Sequence, residues 1–154
     1  MSLLHYSVAE RLRAILATNA LSVAVITEPD TQTPRESLLV DFPSSTDYEF
    51  PRFKGGAAMQ PLRFDDLEFR VGVEAHSPGL SAIETQARWV AIASTVLDLV
   101  RANPTLQVGY TAIPGLLGVT GTGSVRGPFT GRLPDNTGWS CIGDVMVPVR
   151  TDIC

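Results

Sequence analysis

The chain has 154 residues, of which 44% are hydrophobic and 18% charged, and its formal net charge at pH 7 is −4. This length and composition favour one globular domain over residues 1–154 and exclude a disordered chain. The negative net charge argues against a surface that binds nucleic acid through phosphate contacts. The start of the chain lacks a basic and apolar leader, and the apolar runs are too short for a membrane span, so we expect a soluble protein that is not secreted.

The first part of the chain predicts one helix and two short strands. Ser7 to Thr18 has apolar residues on one helical face, and Ser7 and Glu10 have the spacing of a capping box at its start. The β-branched run Ser22 to Thr27 predicts a strand, and Glu36 to Phe42 is compatible with a second one.

Residues 43–66 have an irregular pattern that does not fit a plain connector. They carry three prolines, a Gly-Gly pair and several aromatic residues without a regular period. Segments of about twenty such residues inside a domain are usually functional arms or mobile loops. Two interpretations stay open: a loop folded back on its own core, or an arm whose aromatic residues dock on another subunit or partner. We favour the arm.

A strand followed by a long helix is the strongest pattern and covers Leu67 to Asn103. From Leu67 to His76, apolar residues alternate with others in the two-residue period of a strand with one buried face. Ser81 and Glu84 have capping-box spacing, and Asn103 before proline ends the helix. The helix is apolar over most of its circumference, which predicts burial on more than one side. The apolar residues near one face are Ile83, Ala87, Val90, Ala91 and Leu97.

The chain after the long helix predicts strands on either side of a glycine-rich segment. Leu106 to Ile113 alternates loosely, as a strand would. Residues 114–132 contain six glycines and predict a loop, although Val119 to Val125 would also fit the edge of a hairpin. Trp139 to Arg150 predicts the last strand, and Pro148 suggests that this strand lies toward a sheet edge.

This order of elements predicts the fold class. Two helices and several strands occur without regular βαβ alternation, which indicates an α+β fold. We expect a mostly antiparallel sheet with two helices packed on one face, plus the long irregular arm.

No arrangement of residues points to catalysis, a cofactor or a metal ion. Gly121-Thr122-Gly123 lacks the lysine and the following helix that a phosphate-binding loop needs. His5 and His76 have no evident third metal ligand, and no serine lies in a nucleophile elbow. Cys141 and Cys154 lack metal-ligand spacing, and we expect free thiols. We therefore expect no enzyme activity, no cofactor and no metal.

The layout of the chain resembles that of tail terminator, or tail completion, proteins of bacteriophages with long non-contractile tails. The resemblance covers nearly the whole chain and rests on the order of elements rather than on an invariant motif. Related neck and head–tail joining proteins share this layout. Two segments carry most of the resemblance, LEFRVGVEAHSPGLSAIETQARWVAIASTVLDLV as strand, turn and long helix, and NTGWSCIGDVMVPVRTDI as a Trp-led final strand.

The resemblance implies a structural virion protein that forms a ring, typically a homo-hexamer. Such a ring caps the tail tube, ends its polymerisation and joins the tail to the head connector, after assembly in the host cytoplasm. The implied partners are further copies of the chain, the tail tube protein and the head–tail connector protein, with DNA passing through the lumen without specific binding and no membrane involved. The alternatives are another neck or tail-tube-like protein, or a small cytosolic ligand-binding domain.

Contacts with other subunits or with the tail tube are predicted at the arm first and at the glycine-rich segment second. The glycines suggest that the second segment becomes ordered on assembly. Trp89, in the middle of the long helix, is expected to pack either in the core or against a subunit. The residues predicted at these interfaces are Phe50, Phe53, Lys54, Met59, Trp89, Arg126 and Arg132.

Overall fold

A computed structural model describes most of the chain, namely residues 3–18, 21–26, 36–41, 64–78, 81–107, 111–121, 123–132 and 138–152. These residues form two helices and six strands. In chain order they are α1 (Leu3–Leu16), β1 (Ala24–Ile26), β2 (Ser37–Asp41), β3 (Phe64–Pro78), α2 (Ala82–Ala102), β4 (Leu116–Val119), β5 (Ser124–Arg132) and β6 (Gly138–Asp152).

The strands form one six-stranded sheet in the order β1-β2-β3-β6-β4, and β5 also pairs with β6. The pair β1–β2 is parallel and the other pairs are antiparallel. At the centre, β3 and β6 have 15 residues each and pair along their whole length, from Phe64 opposite Asp152 to Pro78 opposite Gly138. The predicted α+β class with a mostly antiparallel sheet is therefore confirmed.

The hydrophobic core lies between one face of the sheet and both helices. The strand period predicted this face of β3 correctly, since Phe69, Val71, Val73 and Ala75 are at most 2% exposed. We call this the inner face, and the face away from the helices the outer face. The remaining core comes mainly from α1, α2 and the inner face of β6, with Val8, Leu12, Leu16, Trp89, Ile92, Val96, Val145, Val147 and Val149.

α2 begins and ends where its sequence predicts. The Ser81 hydroxyl accepts a hydrogen bond from the Glu84 backbone N–H, and the Glu84 carboxylate accepts one from the Ser81 N–H. This capping box satisfies N–H groups that a helix start leaves unpaired. Burial on more than one side, however, does not occur within the described chain, because Ile83 is 78% and Val90 50% exposed.

The predicted start of α1 at Ser7 is wrong, because the helix begins at Leu3. Ser7 therefore lies inside the helix and is not its N-cap. Leu4 packs against the core, and the His5 ring meets Phe69 edge-on at 6.5 Å between ring centroids. These tertiary contacts extend the helix beyond the point that the capping pattern indicated.

Most described residues of the glycine-rich segment 114–132 lie in two strands at one edge of β6, rather than in a loop. β4 and β5 follow one another along the same edge of β6. The pairing register shifts next to Gly118 and between Arg126 and Phe129, around Gly127. Gly118 and Gly127 have φ angles of 136° and 109°, which L side chains rarely adopt. The glycines thus permit β-bulges where β4 and β5 pair with β6.

β6 is a central strand, so the prediction that Pro148 lies toward a sheet edge is wrong. The Pro148 carbonyl accepts a hydrogen bond from the Thr120 N–H at 3.0 Å. In an extended strand the nitrogen and carbonyl of one residue point to the same neighbour. The nitrogen of Pro148 therefore faces the junction of β4 and β5, where the pairing given for the described residues skips Pro148.

Other predicted boundaries also change. Leu106 has a φ of 54° and donates its N–H to Asn103, so a turn replaces the predicted strand in the described part of 106–113. β1 is shorter than Ser22 to Thr27. β3 includes the last three residues of the predicted arm 43–66, and residues 42–63 lie outside the described residues. No helix in the described ranges is long and apolar enough to cross a membrane.

Candidate functional site

An ion cluster ties three strands together on the outer face of the sheet. Register places Asp41 of β2 opposite Arg70 of β3, and Asp144 of β6 opposite the neighbouring Gly72. The Arg70 guanidinium donates to the Asp41 carboxylate, and its Nε lies 3.8 Å from an Asp144 oxygen. The hydrogen bond to Asp41, followed by the charges of both aspartates, raises the pKa of Arg70 above its ordinary value although desolvation opposes this. The two aspartates thus hold the Arg70 guanidinium on the outer face of the subunit.

A groove of about 510 Å³ includes part of this cluster and is lined by apolar residues together with Ser37, Arg70, Glu74 and Asp144. Its floor is Gly72, which has no side chain to fill the centre of the outer face. Leu39 on β2 lies on one side of the floor, and Ile142 on β6 and Phe129 on β5 lie on the other. Phe129 is 64% and Ile142 53% exposed. We call this feature the outer groove.

A second apolar surface lies on α2, on the face turned away from the sheet. Ile83, Ala87, Val90 and Ala91 follow the helical spacing of one face, and all four are exposed. Further along α2 the same face becomes polar at Ser94 and charged at Asp98. We call the four apolar residues the α2 stripe. Because α2 covers the inner face, the stripe and the outer groove lie on opposite sides of the subunit.

Trp89 lies in the core, which is one of the two packing roles expected for it. Its indole Nε1 donates to the Val73 carbonyl at 2.9 Å, and its side chain is 1% exposed. The ring lies against Gly143 of β6, where an added Cβ would overlap Cζ2 of the indole. Contact with a neighbouring subunit would require α2 to move, so we leave Trp89 out of the surfaces proposed below.

The other predicted interface residues are not brought together by the described structure. Arg126 and Arg132 are exposed on β5, and Arg132 stacks over the Trp139 ring, with its guanidinium carbon 5.3 Å from a ring centroid. Their contacts with another subunit stay predictions. The remaining predicted residues, which lie outside the described ranges, are Phe50, Phe53, Lys54 and Met59.

Sequence reasoning missed the outer groove, although two glycines carried a signal. A glycine inside a strand often marks a place where another group approaches closely. Gly72 interrupts the polar face of β3, and Gly143 interrupts the apolar face of β6. The first opens the groove and the second makes room for the Trp89 indole.

The described side chains include no group of metal ligands and one free cysteine thiol. Within the described ranges, no three His, Cys, Asp or Glu residues are placed to hold a metal ion. Cys141 is a buried free thiol 3.4 Å from the Thr130 hydroxyl, and Cys154 lies outside the described residues. The outer groove combines apolar side chains with Glu74 and with Arg70, which is hydrogen-bonded to Asp41.

Comparison with known proteins finds matches among solved structures. No family model and no curated protein sequence matches the chain. A chain in the virion of a native gene transfer agent particle is similar with a TM-score of 0.51 and 16% identity, over 96% of this chain and 93% of that chain. A chain in an extracellular contractile injection system, described as the PVC sheath/tube terminator in extended state, gives a TM-score of 0.32 and 18% identity, over 100% of this chain and 57% of that chain. The first likeness shows a shared fold over nearly the full length of both chains.

Proposed function

We propose that the chain is a structural protein of a phage-like tail, which forms a ring that caps the tail tube, ends its polymerisation and joins the tail to the head connector. The observation that carries this proposal is the shared fold with a chain of the gene transfer agent virion, over 96% of this chain. The layout of strand, turn and long helix, which resembles that of tail terminators, points the same way.

The two apolar surfaces support assembly into a ring. Exposed apolar patches of a soluble protein usually mark contacts with other proteins. The α2 stripe and the outer groove differ from one another and lie on opposite sides of the subunit. Different patches that meet head to tail form closed rings when the rotation between copies closes. The proposed partners are further copies of this chain, the tail tube protein and the head–tail connector protein.

The net charge of the chain supports passage of DNA without specific binding. Proteins hold DNA mainly through lysine and arginine contacts with phosphates. The net charge of −4 gives mild repulsion instead. A lumen lined by surfaces of this charge would let DNA slide through.

Particles that lack this chain would test the proposed function. Loss of a tail terminator leaves tube polymerisation unchecked, so we expect overlong tubes and heads without joined tails by electron microscopy. Loss of a tube subunit would instead leave no tubes at all. Restoring the chain from a plasmid should restore tails of uniform length and is the control.

Purified protein provides the second measurement. Negative-stain electron microscopy and light scattering at rising concentration should show closed rings. A chain that stays monomeric at high concentration and is missing from purified particles would contradict the proposal.

A further inference from the structure

We propose that residues 103–106, which we call the covering turn, keep strand β4 from pairing with β4 of a second copy of the chain. The turn follows the end of α2 and binds the side of β4 that faces away from β6. The inference goes beyond the proposed function and does not rest on it, because it concerns a wrong association that the subunit avoids.

The sheet edge formed by β4 and β5 has chemical protection in one half more than in the other. β5 carries Arg126 and Arg132, together with Pro128 and a register shift. Charges, prolines and bulges keep sheet edges from pairing with other chains. β4 has the sequence Leu-Leu-Gly-Val, in which Leu117 is 53% exposed, and its register shift is its only such feature. An apolar edge strand of this kind needs a cover.

The covering turn blocks β4 through a backbone hydrogen bond. The Val119 N–H donates to the Pro104 carbonyl at 2.7 Å. The next N–H along the strand, that of Thr120, donates to the Pro148 carbonyl of β6 at 3.0 Å. Because successive N–H groups of a strand point to opposite sides, the Val119 N–H points away from β6. Pro104 thus occupies a group through which an added strand would pair.

Gly118 permits the turn to come this close to β4. A Cβ at this position would lie 2.8 Å from the Pro104 carbonyl oxygen, which is closer than real side chains come. The φ of 136° is also one that L side chains rarely adopt. Any side chain at position 118 would therefore push the covering turn away from β4.

Contacts with both helices hold the covering turn in place. The Leu106 side chain is fully buried, and its N–H donates to the Asn103 carbonyl at 2.9 Å. Arg11 of α1 donates from Nη1 to the Leu106 carbonyl at 2.5 Å, and the Asn103 side-chain amide donates to the Leu99 carbonyl of α2 at 2.8 Å. Leu106 has a φ of 54°, which is uncommon for leucine. These contacts fix the turn against β4 in an unfavourable backbone conformation.

Gly118→Ala tests the covering turn by displacing it. Dilute full-length protein should then associate through exposed β4, with rising light scattering and rising thioflavin T fluorescence from stacked strands. Gly127→Ala is the matched control, because Gly127 lies on the same edge with a φ of 109° and a Cβ there would lie 3.1 Å from the Ile142 carbonyl oxygen. It strains the edge without touching the turn and should behave like unmodified protein. Adding Leu117→Lys to Gly118→Ala should suppress the association, since lysine protects sheet edges.

Hydrogen exchange tests the same contact in a variant that leaves β4 unchanged. In unmodified protein the Val119 amide should be protected. Arg11→Met removes the bond to Leu106 and should speed exchange at Val119 about five- to tenfold, the equilibrium factor of roughly one hydrogen bond. The Thr120 amide, bonded within the sheet, should keep its rate.

Three results would overturn the inference. Gly118→Ala and Gly127→Ala could associate to the same extent, which would assign the association to strain alone. The Val119 amide could exchange freely in unmodified protein, which would exclude the bond to Pro104. Arg11→Met could speed Val119 and Thr120 equally, which would mean that β4 loosens as a whole. The proposed function would stand in each case.

Discussion

Gly143 gives the sharpest test of how the core is packed. A Cβ at this position would overlap both Cζ2 of Trp89 and the carbonyl oxygen of Arg126, and would lie 3.1 Å from Cε2 of the same indole. Overpacking a core usually costs 1–3 kcal/mol of unfolding free energy. One overlapping atom is backbone and the other belongs to the fully buried indole, so neither can move aside easily. We expect Gly143→Ala to destabilise the subunit by about 3 kcal/mol.

Gly72→Ala is the matched control, since Gly72 lies on the adjacent central strand. There the nearest atom to an added Cβ is the Leu39 carbonyl oxygen, at an ordinary contact distance of 3.6 Å. Replacing glycine by alanine inside a strand gains roughly 0.5–1 kcal/mol, so this variant should equal or exceed the unmodified protein in stability.

Urea unfolding of dilute protein, below the concentration at which copies associate, would measure the free energy of unfolding of both variants. About 3 kcal/mol corresponds to a melting temperature lowered by roughly 6–12 °C in a chain of this size. Equal stability of Gly143→Ala and Gly72→Ala would refute the packing of the Trp89 indole on β6.

Three further predictions concern the core, an ion pair and the outer groove. Trp89→Phe removes the N–H that binds the Val73 carbonyl and should cost about 2–4 kcal/mol in urea unfolding, whereas an unchanged midpoint would contradict that hydrogen bond. A double-mutant cycle of Arg88→Ala and Glu36→Ala should give a coupling of about 0.5–1 kcal/mol that weakens in high salt, because both side chains are partly exposed. The hydrogen bond to Glu36 raises the pKa of Arg88 in the folded protein. The stabilisation by this arginine is therefore present at every pH below its ordinary pKa and is lost only as pH rises through the higher folded value. The coupling should be equal at pH 7 and pH 9. Ile142→Glu should abolish rings in electron microscopy while Leu117→Glu, equally exposed at 53% but outside the groove, should leave them intact, and the reverse result would exclude the groove as an interface.

Local sequence patterns predicted those helices and strands whose patterns agree with the contacts that they make in the fold. The alternation in β3 gave its buried face, and the capping box at Ser81 gave the start of α2, because each depends on neighbours in sequence. The start of α1 failed because contacts made by Leu4 and His5 with the core outweigh the capping pattern at Ser7. Such contacts join distant residues and leave no local signal.

The candidate surfaces were less accessible to sequence reasoning than the fold. An α2 apolar over most of its circumference does not reveal which face the sheet covers. In the structure it is the face that carries Trp89, which packs over Gly143. The outer groove depends on Leu39, Ile142 and Phe129 meeting across strands, and only strand register brings them together. The bulges around Gly118 and Gly127 likewise cannot be predicted without knowing that these strands pair with β6.

The long β3–β6 ladder has a mechanical consequence. Pulling the Phe64 end of β3 away from the Gly138 end of β6, along the strands, loads the hydrogen bonds of 15 residue pairs together in shear. Bonds loaded side by side must fail nearly at once, whereas a peeled hairpin loses them one by one. In the proposed assembly, a subunit with this ladder at its centre is well suited to transmit tension between two neighbouring proteins.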